Sequence, residues 1–150
     1  MPYKWALICR NNCYKYALKK MGKNSNICDG VTIDCSHMVS IGERVSIHEY
    51  CWFQGYGGIT IGDFVGIGSG TKIISGTHNN QRVDIPFKEQ GLEKIPVIIE
   101  DDVWIGTNVV IIGKAKIGKG SVISAGSVIS GNIQAYSVVV GNPGRVVKRR

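Results

Sequence analysis

Stepping by six from Ile99, the chain places isoleucine at Ile99, Ile105, Ile111, Ile117, Ile123 and Ile129 without a miss. A 3.6-residue period would rotate such a row around a helix, and a two-residue alternation would not single out every sixth position. A second series of small or β-branched residues runs two positions ahead of the isoleucines, at Val103, Val109, Ala115, Ser121 and Ser127. Glycine follows the isoleucine at Gly106 and Gly118 and falls elsewhere in the turn at Gly113, Gly120 and Gly126. Each hexad therefore predicts one short strand and one tight turn. Three hexads close a triangular coil, and coils stacked about 4.8 Å apart set each inward isoleucine on the one below. The expected fold class is an all-β solenoid.

Upstream, the beat begins at Ile27 and is irregular. Ile27 and Ile33 form one register, Ile41, Ile47 and Phe53 a second, and Ile61, Ile67 and Ile73 a third. The shifts predict lengthened turns at Asp34 to Ser40 and at Gly55 to Gly58. The glycines of Gln54 to Gly58 and of Gly66 to Gly70 serve turns rather than phosphates, since no helical pattern follows them. After Ile73 the beat stops for longer than one coil, across a polar stretch from Thr77 to Pro96 that carries two prolines. Loops of this length inside a repeat fold are uncommon unless functional or disordered. Residues 1 to 20 lack the beat, but Trp5, Ile8, Cys9, Cys13, Tyr16 and Ala17 fall at helical spacing, with Arg10, Lys15 and Lys19 off that face. That spacing predicts a short amphipathic helix, read either as a cap over the open first coil or as a basic surface helix touching anionic lipid or glycolipid. The organisation expected is a cap and helix over residues 1–26, a solenoid over 27–140 with an extruded loop at 78–96, and a basic tail over 141–150.

Composition narrows the function classes. The 150 residues fit a single domain, and no apolar run approaches the roughly 18 residues of a membrane span. Lys4, Arg10, Lys15, Lys19 and Lys20 are spread through the N-terminal segment rather than grouped ahead of an apolar block, so no signal peptide and a cytoplasmic location are expected. The five cysteines are odd in number and form no C-x-x-C pair, which favours free thiols over a disulfide frame or a zinc site. Much of the net charge of +7 lies at the two ends, without the aromatic interleaving of a strand-binding platform, and nucleic acid is not expected as a partner. The long loop opens with His78, one of only three histidines, and the later coils hold no rival. An imidazole placed where the chain leaves the prism is a candidate general base.

Four stretches carry a resemblance: Thr77-His78-Asn79, Ile95 to Thr107 with its Val103-Trp-Ile-Gly106, Ser124 to Ser130, and Val140 to Lys148. Together they resemble the hexapeptide-repeat acetyltransferases, nearest to the maltose and galactoside O-acetyltransferase branch and the related O-acetyltransferases of surface-polysaccharide assembly. The resemblance implies a left-handed parallel β-helix, a homotrimer, and acetyl-CoA held in the groove between neighbouring subunits, with no metal. It implies His78 as the base that takes the proton of a sugar or glycan hydroxyl during direct attack on the thioester. It places CoA along Trp104, Gly106, Thr107, Ala125, Ser130 and Gly131, with Arg145 and Lys148 near its phosphates. Many relatives have Thr-Lys where this chain has Ser130-Gly131, so Lys148, Arg149 or Arg150 is expected to compensate. In the galactoside branch an asparagine faces the histidine. Here His48, Glu49, Tyr50 and Gln54 occupy that neighbourhood, and Tyr50, Gln54 and Asn79 are the candidate acceptor-binding residues.

Other readings stay open beside this one. N-acetylation of an amino-sugar nucleotide would use the same donor groove. A γ-carbonic-anhydrase-like zinc enzyme needs three converging histidines, and the separations of 11 and 30 residues among His37, His48 and His78 do not resemble that family's spacing. A noncatalytic scaffold would bind no acetyl-CoA.

Overall fold

In the computed structural model the hexads wind into a left-handed parallel β-helix of triangular section, preceded by one helix. Residues 2–150 are described, with side chains from Trp5 onward; Met1, the first residue of the expected cap, lies outside them. One face stacks Lys20–Met21, Val39–Ile41, Ile59–Ile61, Val97–Ile99, Lys116–Ile117 and Asn132–Ile133. A second stacks Asn26–Ile27, Ser46–Ile47, Gly66–Ile67, Trp104–Ile105, Val122–Ile123 and Ser137–Val140. The third stacks Thr32–Asp34, Trp52–Gln54, Lys72–Ile74, Val110–Ile112 and Val128–Ile129.

Register makes the core. Ile47 pairs with Ile67, Ile67 with Ile105 and Ile105 with Ile123, while on the third face Phe53 pairs with Ile73, Ile73 with Ile111 and Ile111 with Ile129. All of these are essentially inaccessible to solvent, as are Val103, Val109 and Ala115 of the smaller series. Where that series turns polar, its hydroxyls bridge coils: Ser121 Oγ donates to Gln134 O at 3.1 Å, and Ser127 Oγ accepts from Gly141 N at 3.1 Å. The buried hydroxyls are thus paired, as burial of a polar group requires. Just before each small residue the backbone turns through the left-handed region, at Asp102, Asn108 and Lys114 (φ 57, 53 and 56) and then at Gly120 and Gly126. The six-residue beat in the sequence is therefore also a beat of left-handed corners.

The irregular early registers have one source. Ser40 pairs with Lys20 and with Thr60, so the first coils repeat every twenty residues, whereas Ile98 pairs with Lys116 eighteen further on. The surplus sits at the corner between the third and first faces, where a short 3₁₀ turn at Ser36–Met38 and the tight turn closed by Gly58 N to Gly55 O absorb it. The long excursion after Ile73 leaves from that same corner. It is an ordered arm: Gly76–His78 pairs antiparallel with Leu92–Lys94. The Gln90 amide then ties the tip together, donating to Arg82 O at 2.7 Å and Ile85 O at 3.1 Å.

Both ends depart from expectation. The solenoid begins at Lys20, ahead of the beat at Ile27. Helix α1, Pro2–Ala17, covers the first coil with the opposite side from the one its apolar spacing suggests. Leu7, Arg10, Asn11 and Tyr14 face the coil, followed by buried Leu18, while Trp5, Ile8, Cys9, Cys13, Tyr16 and Ala17 are exposed. The reason is the edge: strands of the first coil present unpaired backbone groups, which a polar side chain can satisfy and an apolar one cannot. Asn11 Oδ1 accepts from Ile27 N at 3.0 Å, Tyr14 OH donates to Val31 O at 2.8 Å, and Arg10 pairs with Asp29. At the far end the expected basic tail is, from Arg145 to Arg149, a strand antiparallel to Ser137–Val140, which closes the last edge of the second face.

Because Ile111 is wedged between Ile73 and Ile129, Ile111→Ala is expected to cost about 2–5 kcal/mol of stability, read from the denaturant midpoint of unfolding.

Candidate functional site

The candidate residues collect in two places on the prism. Trp104, Gly106, Thr107 and Ala125 line a largely apolar cleft of about 440 Å³ on the second face, with Gly68, Val122 and Ser124. It runs on into a smaller hollow lined by His48, Ser69 and Thr107. Gly106 serves the fold and the cleft together, since a Cβ there would fall 2.6 Å from Ala125 N; the coils approach too closely for any side chain. Trp104 is exposed and stands outward in a ladder that passes through Val122 and Val138 to Lys148. Arg145 lies beside Val140 on the same face. Of the late cations, Arg149 is engaged with Gln134, Ala135 and Ser137, and Arg150 pairs with Asp102 at 3.2 Å. Lys148 makes no ion pair among the described residues and ends the outward row that begins at Trp104.

Tyr50 stands at the corner that ends this face, φ 59, with its ring over Gly30. Behind it Glu49 accepts from Ser69 Oγ at 3.0 Å, and its own backbone N–H and that hydroxyl hold the carboxyl below its ordinary range. Cys28, His48 and Glu49 bring possible metal-ligating atoms within 4.8 Å of one another. Burial and the Glu49 charge push the Cys28 thiol up. The three histidines do not converge within the chain: His37 and His78 lie outside this group.

The second place is the corner between the third and first faces, at the root of the arm. Ser130 lines a cleft of about 490 Å³ with Ile74, Gly76, Thr77, Ile95, Ile112 and Lys114. His78 ends the arm's first strand next to this cleft, exposed, and its ring meets the edge of Phe87 at 5.3 Å and 79°. Gly131, φ 78, has open space where a side chain would project. Asn79 is committed to the arm, donating from Nδ2 to Gln90 O at 2.9 Å. Gln54 lies across from Ile74 and against Gly76, and its Oε1 is buried without a hydrogen-bond partner. A buried acceptor left unpaired in this way is costly and marks a place where a donor is wanted.

Sequence reasoning missed Lys114, which shares the cleft with Ser130 and pairs with Glu93 of the arm at 3.3 Å. Its signal was the six-residue beat itself, since Lys114 is the corner residue after Asp102 and Asn108. The expected residues therefore divide: Trp104, Gly106, Thr107, Ala125, Tyr50, Arg145 and Lys148 on one face and its corner, and His78, Gln54, Asn79, Ser130 and Gly131 at another.

The bacterial transferase hexapeptide (six repeats) family matches residues 96–131. A hexapeptide-repeat containing acetyltransferase of Vibrio cholerae, solved with acetyl coenzyme A, superposes with a TM-score of 0.88 at 28% identity, covering 93% of this chain and 75% of that one. A maltose O-acetyltransferase of Clostridium difficile superposes with a TM-score of 0.85 at 29% identity, covering 93% and 74%. A probable acetyltransferase of Mycobacterium tuberculosis is 36% identical over 109 residues, 73% of this chain and 36% of that protein. The chain spans between 23% and 56% of the length of curated relatives that it matches.

The thiols give a direct check on the geometry. Cys9, Cys13 and Cys35 are exposed, whereas Cys51, beside Tyr50, is buried and its pKa is pushed up to about 11 by desolvation. At neutral pH a chromogenic thiol reagent is expected to label the first three promptly and Cys51 only on unfolding.

Proposed function

We propose, for a chain that belongs to the hexapeptide-repeat transferases, that it is one subunit of an acetyl-CoA-dependent O-acetyltransferase acting on a hydroxyl of a sugar or glycan precursor. The observation that carries the reading is the division of the site. The smooth cleft lies on the second face, which also carries Arg145 and Lys148, and the imidazole with the Ser130 cleft lies at the corner between the third and first faces. Two copies set side by side, as in a closed ring of three, would bring them together. The relatives solved with acetyl-CoA and named as O-acetyltransferases support this choice of donor and reaction.

Each part then has a task. The pantetheine arm runs along Gly106, Thr107 and Ala125, where the absence of bulk lets it approach the backbone, and Lys148 and Arg145 meet the phosphates. His78 accepts the proton of the attacking hydroxyl as its oxygen bonds to the acetyl carbon. The same imidazolium returns the proton to the sulfur when the carbon–sulfur bond breaks, so the histidine ends as it began. Phe87 packs against the His78 ring at a steep angle. The free cysteines suit a reducing cytoplasm.

His78→Ala is expected to cut turnover by roughly 10²–10⁴ while CoA affinity, measured by calorimetry, stays near that of the parent protein. Full activity in that variant would remove His78 as the base. A mixing experiment tests the shared site: His78→Ala and a cleft-blocked Ala125→Trp chain, each inactive alone, are expected to regain activity when unfolded and refolded together. Failure to complement would confine the site to one chain.

A further inference from the structure

The outward face of helix α1 carries, among the described residues, exposed apolar and aromatic side chains that neither the core nor the proposed site uses. We propose that it docks the protein, end-on, to a membrane surface rich in anionic lipid. Trp5 is 73% exposed, Ile8 45% and Tyr16 89%, with Cys9 and Cys13 exposed beside them. At 100° per residue these five lie in one stripe directly opposite Leu7, Arg10, Asn11 and Tyr14, which face the first coil. The helix's hydrogen bonds to the coil come from Arg10, Asn11 and Tyr14, so the stripe is spare: it is not needed to hold α1 in place.

Charge selects the occupant. The helix contains no Asp or Glu. Lys15, Lys19, Lys20 and Lys23 are exposed along its flank and C-terminal end, and none forms an ion pair among the described residues. Lys15 and Lys23 line a shallow cleft beside the helix with Asn11, Asn12 and Asn24, a seat of donors for a phosphate headgroup. Tryptophan and tyrosine with flanking lysines suit the interfacial layer of a bilayer, where rings lie at headgroup depth and ammonium groups meet lipid phosphates. A protein partner or a second copy would have to match four unpaired lysines with acids. Each end-covering contact of α1 is made to the first coil, so docking by the outer side leaves the prism's faces, and both clefts, open to solvent.

The test is co-sedimentation of the full chain with sucrose-loaded vesicles of phosphatidylcholine alone or mixed with phosphatidylglycerol. The protein is expected to partition onto the mixed vesicles, weakly onto phosphatidylcholine, and less in high salt. Trp5→Ser/Ile8→Ser/Tyr16→Ser is expected to lower binding at least about tenfold, and Lys15→Glu to lower it about fivefold or more on anionic vesicles alone. Circular dichroism and the thermal midpoint check that both variants fold. Should the triple variant fail to fold, the emission of Trp5, taken as the difference between the parent protein and Trp5→Phe, decides the matter by shifting to the blue on anionic vesicles. No partition onto either vesicle, undiminished binding by the folded triple variant, or the absence of that shift overturns the proposal. So does a fall in subunit number in the triple variant with vesicle binding unchanged, which would assign the stripe to contact between copies.

Discussion

Direct stacking of like side chains from coil to coil is the constraint from which the rest of the molecule follows. Ile73 on Ile111 on Ile129 is a dry ladder only while each coil returns to the same registry, because a slip of one residue along a strand would turn the isoleucine outward. The corners must then close tightly, which is why Asp102, Asn108 and Lys114 accept left-handed backbone despite their side chains. Their cost is met by the hydrogen bonds that run from corner to corner, such as Asn108 N to Ser69 O and Asp102 N to Asp63 O, both 2.9 Å.

A wall built on strict registry can hold surplus chain only at a corner. Early coils place two extra residues between the third and first faces, and the excursion after Ile73 leaves from that same point. His78 is thereby delivered to the outside of a rigid body on a strand paired with Leu92–Lys94, a more constrained seat than a free loop. The flat faces contribute differently. Alternation sends every second residue outward, so Trp104, Val122, Val138 and Lys148 form one outward column, half-buried at its two valines, and Gly106, Ser124 and Val140 the next. An extended ligand can follow such columns; a compact one has little to grip, and this is the physical case for a long, flexible cosubstrate.

The ends show what registry leaves unsolved. A stack has two open edges, and each is closed by hydrogen bonding rather than by apolar packing alone: the first by Arg10, Asn11 and Tyr14, the last by the strand Arg145–Arg149. Satisfying the first edge with the polar side of α1 turns its tryptophan, isoleucine and tyrosine to the outside, where the stripe becomes a resource for the molecule's surroundings.

By itself the sequence determined the winding. A six-residue period in Ile99 to Ile129 is a local signal, repeated often enough that no other regular structure fits it, and the break after Ile73 and the lone His78 at its head are equally local. The sides of the prism on which the candidates lie were beyond it, since that depends on counting residues around every corner, including the eight-residue intervals from Ile33 to Ile41 and Phe53 to Ile61. Only the tertiary structure separated His78 and Ser130 from Trp104 and Thr107, brought Lys114 to the Ser130 cleft, and buried the Gln54 oxygen without a hydrogen-bond partner. It also decided which way α1 faces. Helical periodicity reports an apolar stripe, but whether that stripe is covered depends on what the surface beneath needs, and here the first coil needed hydrogen-bond partners.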